Sequence, residues 1–430
     1  MTYAEALDYI ASLAPRGWRL GLDRMQAFAK RAHLEDALGT TDKPKFIHIA
    51  GTNGKGSTTA FVHSLLIEHG HAAGAFYSPY VYNARERVQM GRAMISPDEL
   101  ACLTEELIPA AESLQDTELA GVTEFEFKTA IGFLHWKRRT ADWVSLEVGL
   151  GGRLDSTNIV TPSACVIVSI GLDHTAILGD SIEAIAFEKA GIIKTGIPVV
   201  VGEVPPAARE VILAEAERKG APVWEYGMEV RLTEDAGTWT VETPERTHRG
   251  LAPGIVGVKQ PHNMSLAVAA IDAAGAFRRE DGSKKGVAAA TAPGRYQRFE
   301  RNGQSYLLDG AHNFEAIEVL AETLCATHQT KPTVIFGMVK GHEPEPILRT
   351  LGKFAERIVV SPIDFRRAFD PRELKEVADA LCLNVEVAES SEDAVRRAEA
   401  EHPGLILVTG SFYLVGEVGR HIGADQPFEG

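Results

Sequence analysis

The sequence predicts an α/β protein in two parts: an N-terminal doubly wound parallel sheet containing a P-loop-like turn, then a smaller C-terminal α/β domain of Rossmann-like type. Three observations carry this expectation. The apolar run Phe46-Ile47-His48-Ile49-Ala50 leads through Gly51-Thr52-Asn53-Gly54-Lys55-Gly56-Ser57 into a stretch of helical spacing that stops at Gly70. Apolar strand runs and helical stretches then alternate through PVVVGE and beyond. After Thr291-Ala292-Pro293-Gly294-Arg295 the alternation starts again with SYLLDG, TVIFGM, RIVVSPI, NVEVAE and LILVTGS, each followed by a helical stretch. The expected domains are residues 1–294 and 295–430.

Taken in order, the chain opens with helices at residues 3–13 and 22–38, flanking a loop that contains Arg19-Leu20-Gly21. After the glycine turn and its helix, AAGAFYSPYV reads as a strand ending at Ser78-Pro79, and NARERVQMGRAMIS as a polar connection. Ser96-Pro97-Asp98-Glu99 caps the next helix: a hydroxyl accepts from a first-turn N–H and two acids meet the positive end of the helix dipole. Residues 124–138 are helical. Two further runs, ADWVSLEVGLGGRLDSTN and ACVIVSIGLDHTAILG, each place an apolar strand before a polar, glycine-containing loop. Residues 222–250, with alternating β-formers around a Gly turn, predict a small antiparallel insertion, and PHNMSLAVAAIDAAGAF returns to helical spacing. The tail GADQPFEG reads as loose.

At 430 residues the chain exceeds a typical single core. An apolar fraction of 45% and a charged fraction of 24% are those of a soluble globular protein. A net charge of −15 argues against nucleic acid as a partner, since such binding rests on a basic footprint, but leaves room for small anions in a local positive pocket. The four cysteines, Cys102, Cys165, Cys325 and Cys382, have no metal-like spacing and imply a reducing compartment. The acid-containing N-terminal helix does not read as a signal sequence, and no apolar run approaches the ~18 residues of a membrane span. A cytoplasmic protein is expected.

The glycine turn has the makings of an anion cradle. Backbone N–H groups can face a phosphate, the helix N-terminus adds positive potential, Lys55 brings a charge, and a Ser or Thr hydroxyl can hold Mg²⁺. The standard G-x-x-x-x-G-K-[ST] spacing is not met, because Ile49 occupies the first Gly position and Gly56 separates Lys55 from Ser57. The plain alternative is an ordinary strand-to-helix turn. Ser57, Ser78, Glu147 and His174 all fall at or just past strand ends, and together offer oxygen and imidazole ligands for a divalent ion. Singly, Glu147 reads equally as a salt-bridge partner and His174 as a structural histidine. Lys189, near the end of a helix, reads by itself as a solvated charge complementing the dipole. Asp309 offers a carboxylate to a ribose or to a metal-bound phosphate, or simply forms a turn with Gly310. Arg295 is either a phosphate contact or a surface arginine.

Six stretches, GTNGKGS, EVGLGGRLDSTN, GLDHTAILGDSIEAIAFEKAGIIK, PGR, DGAHN and TGSFYLVGEV, occur in this order. In them the chain resembles the dihydrofolate synthase/folylpolyglutamate synthase family of the Mur ligase superfamily, from about Leu20 to Gly419. The resemblance implies an ATP-dependent ligase that phosphorylates the carboxylate of dihydropteroate or a folate and captures the acyl phosphate with L-glutamate. It implies that Thr52, Asn53, Gly54, Lys55 and Gly56 hold the ATP phosphates and that Asn263, Arg295 and Asp309 contact the nucleotide. Ser57, Ser78, Glu147 and His174 correspond to ligands of Mg²⁺, of which two ions are implied, with K⁺ as a further cation. Lys189 corresponds to a carbamylated lysine, and His312 to a residue close to the γ-phosphate; with Lys55 these are the implied catalytic residues. Arg19, Leu20, Gly21, Thr123, Leu154, Asp155 and Ser156 fall where the pteroate site is built. A monomer is implied.

The chain departs from the family's pattern at Tyr80-Val81, at Phe314, and in the run Val339-Lys340-Gly341-His342-Glu343-Pro344. Two other readings compete: a superfamily ligase joining a different acid and amine, and an ATP-binding switch without amide chemistry.

Overall fold

The computed structural model describes residues 1–17, 19–40, 43–400 and 404–425. Two compact units emerge: Met1–Ser78 with Arg85–Gly254 and Pro261–Thr291, and Pro79–Ala84 with Ile255–Gln260 and the described residues from Ala292 onward. Two short segments ahead of Ala292 thus belong to the second unit, which a single linear boundary does not mark.

The first unit is built on strands β1 (Lys45–Ala50), β2 (Ala73–Phe76), β3 (Val88–Met90), β4 (Ala93–Met94), β5 (Trp143–Glu147), β6 (Ala164–Ile167), β7 (Val199–Val201) and β8 (Val223–Glu225). Their order is β4-β3-β2-β5-β1-β6-β7-β8. From β2 to β8 all pairings are parallel, while β3 and β4 add antiparallel at one edge. The NARERVQMGRAMIS connection is therefore a hairpin that widens the sheet. Its strands are too short and polar to announce themselves, and pairing with β2 decides their conformation. The central parallel strands are mostly apolar because both faces are covered, with His48, Ser145 and Glu147 as buried polar exceptions. On one side pack Phe46, Phe76, Phe127, Phe133 and Trp136; on the other pack Ile167, Ile185, Ile192 and Val199.

Ser96 and Thr123 each accept from an N–H in the first turn of the helices Pro97–Glu112 and Glu124–Arg138. The second predicted helix stops early, at Arg31, because His33 takes φ 53° and turns the chain into a 3-10 turn at Glu35–Ala37. Strands β9 (Arg231–Asp235), β10 (Thr238–Glu242) and β11 (Thr247–Leu251) form the antiparallel insertion. Asp272, on the helix Gln260–Ala273, fastens its end: the side chain accepts from Thr243 Oγ1 (2.7 Å), Arg246 Nη1 (2.8 Å) and His248 Nε2 (2.9 Å).

The second unit carries β12 (Gln297–Arg301), β13 (Gln304–Leu308), β14 (Thr333–Phe336), β15 (Arg357–Val360), β16 (Val385–Val387) and β17 (Ile406–Thr409), ordered β12-β13-β17-β14-β15-β16. Side chains alternate across it: Val334 and Phe336 enter the core on one face and Ile335 the core on the other. Among the described residues no helix is long and apolar enough to cross a membrane. None of the four cysteines is in a disulfide. The predicted loose tail lies, from Gln426 on, outside the described residues.

Candidate active site

Gly51–Gly54 forms the turn between β1 and the helix Lys55–Glu68. Gly54 precedes the helix with φ 83°, and a Cβ there would sit 2.7 Å from Asn263 Oδ1 and 2.8 Å from Val168 Cγ1. Only glycine fits that conformation in that space. The contact also brings Asn263 beside the turn. Gly56 and Ser57, in the first helical turn, are buried. The Lys55 ammonium folds back and donates to the carbonyls of Gly51 (2.9 Å) and Thr52 (3.2 Å).

Lys189 meets it there. It ends the helix Ile182–Ala190, is only 4% exposed, and donates from Nζ to Gly51 O at 3.0 Å. The reading of Lys189 as a solvated charge is therefore corrected. Its helix end lies flush on the GLGGRLD loop, since a Cβ at Gly152 would come within 3.1 Å of the Lys189 Cα. The backbone N–H of Arg153 donates to Glu188 O (2.6 Å), and Asn158 Nδ2 donates to both Arg153 O and Gly191 O (3.0 Å each). Burial, followed by the positive charge of Lys55, lowers the Lys189 pKa to about 7 against the opposing pull of Asp173 and Asp155.

The candidate metal ligands come from four adjacent strands, β2, β5, β1 and β6, whose C-terminal ends lie on one edge of the sheet. Glu147 pairs in register with Ile49, two residues before Gly51, and is buried. Its Oε2 accepts from the Ser78 backbone N–H at 2.9 Å, so these two residues are brought together. His174 stands on the loop after β6 with φ 50°, its Nε2 3.7 Å from Asp173 Oδ1. Glu147 and the serine hydroxyls are hard oxygen donors of the kind Mg²⁺ takes and His174 is an imidazole donor, and of these residues Glu147 and Ser78 are in direct contact.

The predicted pteroate residues gather around the helix Glu124–Arg138. Arg19 Nη1 donates to Ala120 O (2.8 Å), and the Arg19 carbonyl accepts from Arg24 Nη2 (2.9 Å). Arg24 Nε in turn holds Glu126 Oε2 at 2.8 Å in a buried ion pair, and the same oxygen accepts from Thr123 Oγ1 at 2.8 Å. Leu20 is exposed, and Gly21 has φ 135°. Ser156 Oγ lies 3.1 Å from Thr129 Oγ1 on that helix, which brings the Leu154-Asp155-Ser156 loop to it. Asp155 itself knots this loop, accepting from the N–H groups of Leu150 and Thr157 (both 2.9 Å) and from Thr157 Oγ1 (2.5 Å). Burial raises its pKa despite these bonds.

In the second unit, Asp309 accepts from Tyr296 N (2.8 Å) and Ala311 N (2.9 Å), and burial raises its pKa against the charge of Arg295. The Arg295 guanidinium stacks 4.2 Å from the Phe412 ring centroid. His312 Nδ1 lies 2.8 Å from the Gly310 carbonyl, an acceptor, so Nδ1 carries the proton. Sequence reasoning assigned no role to Arg24, Glu126, Ser169 or His342. The His342 ring centroid is 5.9 Å from that of His312, in a run noticed only as a departure.

A family profile described as "Mur ligase, glutamate ligase domain" matches residues 294–412. The dihydrofolate synthase/folylpolyglutamate synthase of Bacillus subtilis is 35% identical over 98% of this chain and 99% of its own length. Escherichia coli FolC in complex with DHPP and ADP superposes with a TM-score of 0.88 at 30% identity, covering 99% of both chains. The bifunctional folylpolyglutamate synthase/dihydrofolate synthase of Yersinia pestis, complexed with AMPPNP and Mn ion, gives 0.86 at 28% identity over 98% of each. With identity and fold both sustained over nearly the whole length, the chain belongs to the dihydrofolate synthase/folylpolyglutamate synthase family.

Proposed function

We propose that this protein is an ATP-dependent ligase that joins L-glutamate to a pteroate-type acid, either dihydropteroate, a reduced folate or both. The observation that carries the reading is the meeting of Lys55 and the buried Lys189 on Gly51 O, at the sheet edge that also bears Glu147 and Ser78. Relatives named for this activity, and a FolC structure holding both DHPP and ADP, support it.

In this reading Thr52, Asn53, Gly54, Lys55 and Gly56 bind the ATP phosphates, and Asn263, Arg295 and Asp309 contact the rest of the nucleotide. Ser57, Ser78, Glu147 and His174 would hold Mg²⁺, whose role when bound is to neutralise charge on the phosphates. The manganese in the Yersinia pestis enzyme supports a divalent ion. Lys189, its pKa lowered to about 7 by burial and then by Lys55, is suited to carbamylation, which would turn a cation into an oxygen ligand.

The substrate carboxylate attacks the γ-phosphorus and ADP leaves, giving an acyl phosphate. The amine of L-glutamate then attacks the acyl carbon and inorganic phosphate departs with amide formation. Lys55 and the N–H groups at the start of its helix stabilise the phosphates, and His312 would meet the γ-phosphoryl group. Arg19, Leu20, Gly21, Thr123 and the Leu154-Asp155-Ser156 loop orient the acid.

The test is ADP release with ATP, Mg²⁺ and L-glutamate, adding dihydropteroate or tetrahydrofolate in turn. Release dependent on either acid is expected; release with one alone makes the enzyme monofunctional, and release with neither refutes the reading.

A further inference from the structure

We propose that Ser169 is a positioning residue for the phosphate turn, setting the conformation at Asn53 and tying the turn to the loop that leads to His174. The inference rests on the nucleotide-binding reading above and adds a residue that no motif marked. Ser169 follows β6, the strand beside β1. Its Oγ accepts from the backbone N–H of Asn53 (3.0 Å) and donates to the backbone carbonyl of the same residue (2.9 Å). One hydroxyl thereby satisfies both main-chain groups of one turn residue, using its single donor and one acceptor site.

The tie is reciprocal. Thr52 Oγ1 donates to Gly171 O (3.1 Å) and accepts from Gly171 N (3.0 Å), while Thr52 N donates to Ser169 O (2.9 Å). Each loop thus lends a hydroxyl to the other's backbone, and the peptide planes on both sides of Asn53 are fixed. The Asn53 N–H points at Ser169, so the groups that meet an anion are those at the start of the helix, from Lys55 onward. Three residues beyond Gly171 the same loop reaches His174, whose left-handed φ of 50° demands that the loop before it be held. Ser169 therefore sets the spacing between the phosphate-binding backbone and a candidate metal ligand. Mg²⁺ and nucleotide should bind cooperatively through it.

The experiment is calorimetric titration of the full chain with ADP, with and without Mg²⁺, for wild type, Ser169→Ala, Ser169→Cys and Ser169→Thr, with thermal unfolding of each. Losing two hydrogen bonds at a phosphate-binding backbone should weaken Mg·ADP binding about tenfold or more in the Ala and Cys variants. It should also shrink the enhancement of ADP affinity by Mg²⁺, and Thr, which keeps the hydroxyl, should restore both. Asp272→Asn, which weakens the same unit at the antiparallel insertion, should lower thermal stability and leave ADP binding and its Mg²⁺ dependence unchanged. Wild-type affinity and wild-type Mg²⁺ enhancement in a folded Ala or Cys variant would overturn the role of Ser169. A wild-type protein that binds no ADP would instead overturn the nucleotide reading on which it rests.

Discussion

The ammonium groups of Lys55 and Lys189 share one acceptor, the carbonyl of Gly51, at 2.9 and 3.0 Å. Two like charges converging on one oxygen, one of them buried, is an arrangement that favours loss of a proton. Lys189 gives way, with its pKa lowered to about 7 by burial first and by Lys55 second. A lysine that is partly neutral at neutral pH is a nucleophile towards carbon dioxide, and its carbamate would convert the repulsion from Lys55 into attraction.

Carbamylation of Lys189 should therefore depend on pH and on CO₂. Only the neutral amine reacts, and its fraction rises as pH passes upward through about 7. At limiting CO₂, activity should fall on going from pH 8 to pH 6 and recover when more bicarbonate is supplied. Lys189→Ala should lose at least a hundredfold in kcat and regain part of it with short carboxylic acids, a magnitude of about 3 kcal/mol in transition-state stabilisation. Full activity of that variant would remove the carbamate from the account.

Asp155 is expected to act through the loop it knots. Asp155→Ala leaves the N–H groups of Leu150 and Thr157 without their carboxylate, at a cost of about 1–3 kcal/mol for unsatisfied buried donors. A lower urea midpoint together with a raised KM for the pteroate-type acid is predicted. A raised KM at unchanged stability would instead mark Asp155 as a direct substrate contact.

Acid should destabilise the first unit through its buried histidines. Burial, its chief cause, lowers the pKa of His48 to about 3 and of His63 to about 4. Above the ordinary value near 6.5 both rings are neutral, folded or unfolded, and their contribution is fully present. As pH falls below that value the unfolded chain takes up protons that the folded one refuses. Each ring then lowers stability by up to about 1.4 kcal/mol per pH unit until its own folded value is reached. Denaturant midpoints at pH 7, 6 and 5 should show this decline, and His48→Gln should make it shallower. A flat profile between pH 7 and 5 would contradict it.

Much of this was legible in the chain because local signals and tertiary packing agree. The helix Glu124–Arg138 appears over the residues its spacing predicts, and Ser96 caps where expected. What escaped depends on partners distant in sequence. Strands β3 and β4 exist because β2 offers an edge. Val223–Glu225 read as the start of the insertion, yet it closes the main sheet against β7. The burial of Lys189 could not be read from a helix C-terminus, where lysines are ordinarily solvated. It follows from the Gly152 loop, whose closeness to that helix only the fold reveals.

Activation of the acid by phosphorylation at the turn on which Lys55 and Lys189 meet would carry one carboxylate oxygen into the released phosphate. Dihydropteroate labelled with ¹⁸O in its carboxylate, turned over with ATP, Mg²⁺ and L-glutamate, tests it most directly. One labelled oxygen should appear in each inorganic phosphate released. Unlabelled phosphate, formed alongside the amide product, would contradict an acyl phosphate and the account built on it.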